Sequence, residues 1–174
     1  MTASDLQAKL DRVRDKYNTW ILGSIKKTYD STKHGEEGST PLAAFILLSC
    51  AIDFFAGFLC GITSFRHPKV SANYKEFVNK YLSSYDAEDI YTNVRCRLAH
   101  NYTIGGNVAL THANEAAHDP LGKKGGRRTI NFENFLEDFQ VAVEQYFEDV
   151  KSDPKLEDNF NERFVLGFAD TITT

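Results

Sequence analysis

The order of hydrophobic and polar residues along the chain predicts a mainly helical protein. In four stretches apolar residues recur every three or four positions while polar residues fill the opposite face, which is the pattern of an amphipathic helix. The first stretch runs to about Tyr29, and Asn131 is a helix cap before the third, whose outer face is acidic. The apolar positions of the four faces are Leu6, Leu10, Val13, Tyr17, Trp20, Ile21 and Ile25; Tyr74, Phe77, Val78, Tyr81, Leu82 and Tyr85; Phe132, Phe135, Leu136, Phe139, Val143, Phe147 and Val150; and Leu156, Phe160, Phe164 and Phe168.

A fifth stretch, residues 42–62, is apolar on every side except at Asp53. Thr40 and Pro41 suit the start of a helix there. The stretch is long enough to span a bilayer, but a carboxylate at its centre would cost a few kcal/mol in lipid. The amphipathic stretches also need a central apolar partner. We therefore expect the buried core helix of a cytoplasmic protein, and a membrane-anchored helix is the alternative.

Asp53 is the one charged residue of this stretch. A carboxylate buried in a core requires a partner that bonds to it. We expect Arg95 to be that partner and to be oriented by it. The alternative is a hydroxyl or a backbone group within the core.

After residue 101 the period of the pattern changes. Apolar and polar residues alternate over residues 102–110 on either side of Gly105-Gly106, which predicts a tight β-hairpin. Thr129-Ile130 is a candidate third strand. We therefore predict a single domain, residues 1–174, in the form of a mainly α bundle of about five helices with a small β-hairpin inserted in it.

The composition agrees with one globular domain and argues against an overall basic surface, disulfide bonds and a zinc site. Of the 174 residues, 42% are hydrophobic and 25% are charged, which is enough for one core. The net charge of −4 provides no overall basic field, so any contact with RNA has to be local. The three cysteines lack C-x-x-C spacing, which favours free thiols over disulfides or a zinc site. We predict no metal, no cofactor and no secretory signal.

One pair of residues, Arg95 and His100, indicates chemistry. A helical pattern begins at Asp86 and carries both residues, which would point about 140° apart on a continuous helix. They can meet if the helix ends near Ala99, if the arginine bends round, or if a second copy of the chain supplies a partner. An arginine binds phosphate oxygens and a histidine transfers protons near neutral pH, so the pair suits cleavage of RNA without a metal. A purely structural pair is the alternative.

The segment Arg95-Cys96-Arg97-Leu98-Ala99-His100-Asn101 resembles the Arg-x4-His signature of the HEPN superfamily (higher eukaryotes and prokaryotes nucleotide-binding domain). The resemblance implies a helical bundle that forms a homodimer in which the motifs of two subunits face each other. It also implies a metal-independent ribonuclease of a toxin-antitoxin or phage-defence system. In that case Arg95 binds phosphate and His100 is catalytic, with Asp53, Asn101 and Tyr102 in support.

Cys96 departs from the family pattern, because active members usually carry a polar residue, often asparagine, directly after the arginine. The alternative function is therefore a catalytically inactive HEPN-like binding or regulatory module. The resemblance implies an antitoxin or a nucleotidyltransferase-type protein as a partner.

A basic cluster lies downstream of the motif. Lys123, Lys124, Arg127 and Arg128 flank Gly125-Gly126. Glycines allow a backbone to approach an anion closely, so the cluster is a candidate clamp on the RNA backbone beside His100. A solvated loop without a ligand is the alternative.

Overall fold

The computed structural model describes residues 3–32, 41–62, 69–113, 118–123 and 126–168. Within these ranges the chain forms six helices and one two-stranded sheet, which confirms the prediction of a mainly α protein. We name the helices by position or character. They are the N-terminal helix (residues 3–32, made of Ala3–Lys16, Tyr17–Leu22 and Gly23–Thr32), the apolar helix (Leu42–Leu59), the third helix (Val70–Tyr81), the motif helix (residues 87–101, made of Ala87–Asp89, Ile90–Cys96 and Arg97–Asn101), the acidic helix (Phe132–Ser152) and the C-terminal helix (Pro154–Phe168).

The apolar helix is the centre of the bundle and contacts each of the five other helices. It has 18 residues with a mean hydropathy of 2.2, so by length and composition alone it could cross a membrane. In the bundle, however, 61% of it is buried, as expected for a helix that is apolar on all sides and packed against other helices. The predicted core helix is thus confirmed. The predicted cap at Thr40 lies outside the described residues.

Phe55 of the apolar helix joins four helices through its fully buried ring. Its centroid lies 5.3 Å from that of Tyr17, 6.2 Å from that of Phe77 and 5.9 Å from those of Phe139 and Phe147. Three of these pairs are edge-to-face, the arrangement in which a positive ring edge meets a negative ring face. The aromatic residues of four separate sequence patterns therefore form one core.

The N-terminal helix contains a π-helical turn at Tyr17–Leu22 that changes which face is buried. Tyr17 is buried, and the next buried residue is Leu22, five positions later. Because a π turn closes its hydrogen bonds over five residues rather than four, the apolar face shifts by about one residue. The prediction that Trp20 belongs to this face is wrong, since 68% of its surface is exposed.

The C-terminal helix docks on the bundle by binding the end of the apolar helix. Asn159 Nδ2 donates to the Leu59 carbonyl oxygen at 2.6 Å, and Arg163 Nη1 donates to the Ile62 carbonyl oxygen at 3.0 Å. Carbonyls at a helix end lack partners within the helix, so Asn159 provides the missing bond at Leu59, the last residue of the helix, and Arg163 binds the chain three residues further on. The Phe160 ring packs 5.2 Å from the Phe58 ring beside them.

The sheet is not the predicted hairpin. Val108–Thr111 (β1) pairs in parallel with Arg128–Asn131 (β2), with Val108 opposite Arg128. The prediction of a hairpin around Gly105-Gly106 is wrong because the Gly105 N–H donates to the Asn93 carbonyl oxygen of the motif helix at 3.0 Å. The glycine pair thus turns the chain against a helix, and the candidate third strand becomes the only partner of β1 within the described residues.

Replacing Phe55 with alanine should lower the free energy of unfolding by about 3–5 kcal/mol, because the cavity would open where four helices meet. Urea unfolding at 25 °C measures this loss. Val141→Ala is the control, since Val141 is 66% exposed and its loss should change stability by no more than about 0.5 kcal/mol. Similar losses in both variants would contradict the central role of Phe55.

Candidate functional site

Arg95 and Asp53 form an ion pair between the motif helix and the apolar helix. Both Arg95 Nε and Arg95 Nη2 donate to Asp53 Oδ2, at 3.0 and 2.8 Å. Each side chain is 24% exposed, so the pair lies at the edge of the core. The predicted partner of Asp53 is therefore confirmed.

Further neighbours hold the Arg95 guanidinium. Its central carbon lies 5.6 Å from the centroid of the Tyr91 ring, a cation–π contact, and Nη1 lies 3.9 Å from Cys96 Sγ. Burial alone would lower the pKa of Arg95, but the hydrogen bonds and charge of Asp53 outweigh burial and raise it. Burial also raises the pKa of the Asp53 carboxyl, against the lowering effect of Arg95. The two residues thus stabilise each other's charged forms.

His100 lies on the last turn of the motif helix and is exposed to solvent. The helix ends at Asn101, one residue beyond His100, so both motif residues still lie on it and keep different directions. Arg95 reaches towards the apolar helix, whereas His100 has no hydrogen bond or ion pair with any described residue. Within one chain the structure does not bring the two motif residues together.

Asn101 and Tyr102 follow His100 and are both exposed, Tyr102 to 72%. The Tyr102 backbone is left-handed, with φ 53° and ψ 31°, a conformation that costs a residue with a Cβ roughly 1–2 kcal/mol. Of the three predicted supporting residues, only Asp53 contacts Arg95. The other two stand beside His100 at the end of the helix.

A glycine turn packs against the middle of the motif helix. A Cβ added at Gly105 would lie 2.1 Å from Arg97 Nε and 2.6 Å from Asn93 Oδ1. Gly106 has φ +61° and also faces Asn93. Only glycine allows the chain to approach the helix this closely, which ties the segment before β1 to the candidate site.

Arg128 of the basic cluster is already engaged by two carboxylates. It forms ion pairs with Asp86, at 3.2 Å, and with Asp89. Asp86 is the cap of the motif helix and accepts a hydrogen bond from the Asp89 N–H, which confirms the predicted start of that helix. The structure thus gives Arg128 an anchoring role, and its predicted contact with RNA would require both ion pairs to break.

Lys123 and Arg127 of the basic cluster are more exposed to solvent than Arg128. Arg127 is exposed, and its Nε donates to the Val108 carbonyl oxygen at 3.1 Å. Lys123 is exposed, and its backbone N–H donates to Asp119 Oδ1 at 3.1 Å. Lys124 lies outside the described residues. Binding of RNA by Lys123 and Arg127 stays a prediction.

Sequence patterns did not predict a hydrogen-bonded network that includes His118. His118 Nδ1 accepts the Asn131 N–H at 3.2 Å, and Nε2 lies 3.2 Å from the Tyr85 hydroxyl. Tyr85 in turn donates to Asp138 Oδ2 at 2.7 Å. Because Nδ1 accepts, the ring in this arrangement is neutral with its proton on Nε2. These residues are far apart in the chain, so spacing could not reveal the network.

The network borders a cleft of about 320 Å³. The cleft lies near Asp86, at the start of the motif helix, whereas His100 lies near its end. A helix of this length extends about 20 Å, so Lys123, which lines the cleft, is not beside His100. The lining residues are Ser83, Ser84, His118, Asp119, Pro120, Leu121, Lys123 and Asp138.

In the part of the chain that the structure describes, no three His, Cys, Asp or Glu side chains come together in a way that could hold a metal ion. No family model matches the chain, and no curated protein or solved structure matches it either. The functional assignment therefore depends on the residues of the motif and their surroundings.

Removing either member of the Arg95–Asp53 pair should cost about 1–3 kcal/mol of stability, because the other charge would lose its partner at the edge of the core. In a double-mutant cycle of Arg95→Ala and Asp53→Ala, the double variant should lose about 1–2 kcal/mol less than the sum of the single losses.

Urea unfolding of the four proteins measures this coupling. The control cycle uses Lys151 and Glu148, an ion pair on the surface of the acidic helix, whose coupling should not exceed about 0.5 kcal/mol. Additive losses at Arg95 and Asp53 would show that the pair does not join the two helices energetically.

Stability should fall as the pH drops below about 6.5, the ordinary pKa of histidine. Burial lowers the pKa of folded His118, more than Asp138 and Asp119 raise it. As the pH falls, His118 therefore becomes protonated in the unfolded chain before it does so in the folded protein. Between these two pKa values His118 lowers the free energy of unfolding by up to about 1.4 kcal/mol per pH unit. Urea unfolding at pH 7, 6 and 5 measures this loss.

His118→Gln, which cannot become charged, should flatten the dependence of the free energy of unfolding on pH. An unchanged dependence would disprove its assignment to His118.

Proposed function

We propose that this protein cleaves RNA without a metal, as an endoribonuclease of the HEPN type that works as a homodimer in the cytoplasm. The observation that supports this most is the state of the two motif residues. His100 is exposed and has no bonded partner among the described residues, and Arg95 is fixed on the flank of the same helix by Asp53. A free proton carrier and a rigidly held phosphate ligand are the two groups that such a reaction needs.

The chemistry assigns one task to each residue. His100 removes the proton from a ribose 2′-hydroxyl, whose oxygen then attacks the adjacent phosphorus. The bond from phosphorus to the 5′-oxygen breaks, and that oxygen takes up a proton from the His100 imidazolium formed in the first step. Arg95 stabilises the negative charge that builds up on the phosphate oxygens. The products carry a 2′,3′-cyclic phosphate and a 5′-hydroxyl.

Asp53 leaves one edge of the arginine for the substrate. It occupies Nε and Nη2, while among the described residues the hydrogen-bond partner of Nη1 is the Cys96 sulfur at 3.9 Å. A guanidinium that is already fixed by one carboxylate loses less conformational freedom when it binds a phosphate than a freely moving arginine does. Asp53 is thus a positioning residue for Arg95.

A homodimer accounts for the separation of the motif residues within one chain. His100 does not contact Arg95 of its own helix, so a second copy is the remaining route by which both reach one phosphate. In a two-fold dimer the same surface serves both subunits. Each of the two sites would then combine Arg95 of one subunit with His100 of the other.

The second candidate is a catalytically inactive binding module that regulates, or is regulated by, an antitoxin or a nucleotidyltransferase-type protein. Asp53 supports it, because a carboxylate at 2.8 Å already neutralises the guanidinium. Cys96 supports it as well, because it occupies the position of the usual polar residue of active members. In this case the protein would bind RNA or its partner without cutting RNA.

Incubation of a mixed RNA pool with the wild-type protein in EDTA should produce fragments that end in 2′,3′-cyclic phosphate. His100→Ala should lower the rate by about 10²–10⁴-fold, because the proton carrier is lost. Asn79→Ala is the control, because Asn79 is exposed on the third helix and its loss should not change the rate. Sedimentation establishes that all variants have the same oligomeric state.

Mixing the inactive Arg95→Gln and His100→Ala proteins tests whether a site spans two chains. Half of the randomly paired dimers would combine both variants and carry one intact site, so about a quarter of the activity should return. Binding without cleavage by the wild-type protein would favour the inactive module. Neither binding nor cleavage would reject both RNA proposals.

A further inference from the structure

Tyr102 combines a strained backbone with a largely exposed side chain. Its φ of 53° lies in the left-handed region, where a helix normally places glycine after its last turn. The ring is 72% exposed and has no aromatic, cationic or hydrogen-bonded neighbour among the described residues. A glycine at this position would therefore relieve strain and lose no ring pair, cation–π contact or side-chain hydrogen bond with a described residue, so the tyrosine invites a functional explanation.

Hydrogen bonds on both sides hold the Tyr102 backbone in place. Its own N–H donates to the Leu98 carbonyl oxygen at 3.2 Å, and the Thr103 N–H donates to the Arg97 carbonyl oxygen at 3.4 Å. Two residues later, the Gly105 N–H donates to the motif helix again. The backbone is thus fixed while the ring stands in solvent, so little backbone freedom remains to be lost when the ring binds a ligand.

The surroundings of the ring favour a nucleic acid strand over an apolar ligand. His100 and Asn101 precede it and are exposed, and the exposed Arg97 lies one turn earlier on the same helix. Single-stranded nucleic acid is usually bound by exposed aromatic rings on which its bases stack, together with cationic and hydrogen-bonding side chains on the same surface that bind its phosphates.

We propose that Tyr102 stacks on an unpaired base next to the phosphate on which His100 acts, and thereby selects single-stranded RNA as the substrate. This inference rests on the proposed action on RNA. A base in a duplex already stacks on its neighbours and would have to leave the helix before its face could meet the ring. Tyr102 is therefore a specificity residue, distinct from the residues that move the proton or hold the phosphate.

The test compares Tyr102→Gly with Tyr102→Phe and Tyr102→Trp, all in the His100→Ala background so that the RNA stays intact. The probe is a single-stranded RNA oligonucleotide that contains 2-aminopurine, whose fluorescence is quenched when it stacks. Tyr102→Gly should bind about 5- to 150-fold more weakly and lose the quenching. The Phe and Trp variants, which keep a ring, should retain both. Binding of a duplex of the same sequence should change less than twofold.

Two controls separate the role of the ring from stability and from general loss of aromatic surface. Tyr102→Gly should melt at the same temperature as its parent or higher, because strain is relieved. Trp20→Ala removes a ring that is 68% exposed elsewhere on the surface, and it should bind RNA like the parent.

Equal affinity and equal quenching in Tyr102→Gly would overturn the role of Tyr102 and leave the cleavage proposal untouched, provided that the protein with intact His100 still cuts RNA. If Tyr102→Gly weakened the binding of duplex RNA as much as the binding of single-stranded RNA, the proposed selectivity of Tyr102 would be overturned. Absence of any RNA binding by the wild-type protein would overturn both proposals together. Loss of a protein partner rather than of RNA in Tyr102→Gly would assign the ring to a protein interface and would also reject the proposal.

Discussion

The burial of one apolar helix is the constraint on which the rest of the structure depends. Leu42–Leu59 is apolar all round and contacts each of the five other helices, so each amphipathic helix covers part of its surface. Phe55 is the clearest case, because its ring meets aromatic rings from three other helices. Helices whose apolar faces would be unstable in water thus share one core, which is the usual source of helix stability in proteins. Even the C-terminal helix is held this way, since Asn159 and Arg163 bind the carbonyls at the end of the apolar helix.

Asp53 is the one charged residue within this core helix, and it links the core to the candidate site. The two bonds from Arg95 to Asp53 Oδ2 offset part of the cost of burying the carboxylate, whose pKa burial still raises, and fix the direction of the guanidinium at the same time. A stability requirement of the core and a positioning requirement of the site are therefore met by the same contact. This double role explains why one carboxylate can be tolerated in a helix that is otherwise apolar enough to cross a membrane.

The segment between the motif helix and the acidic helix holds the motif helix along its length. Arg128 binds its first turn through Asp86 and Asp89, Gly105 binds its middle, and Thr103 binds its last turn. The parallel pairing of β1 with β2 brings Arg128 and the glycine turn to the same helix.

The sequence by itself determined the helices, the core helix and the partner of Asp53. Helical periodicity is a local property, and caps such as Asn131 lie next to the helices they begin. A buried carboxylate needs a hydrogen-bonded partner, and Arg95 was the candidate from the motif. Tertiary structure alone decided the parallel sheet and the network of His118, because each depends on groups far apart in the chain. The exposure of Trp20 has a local cause, the π turn at Tyr17–Leu22 that shifts the buried face of the helix. It also decided that Arg95 and His100 point apart, since only the packing of the motif helix against the apolar helix establishes which of its sides faces the core and which faces solvent.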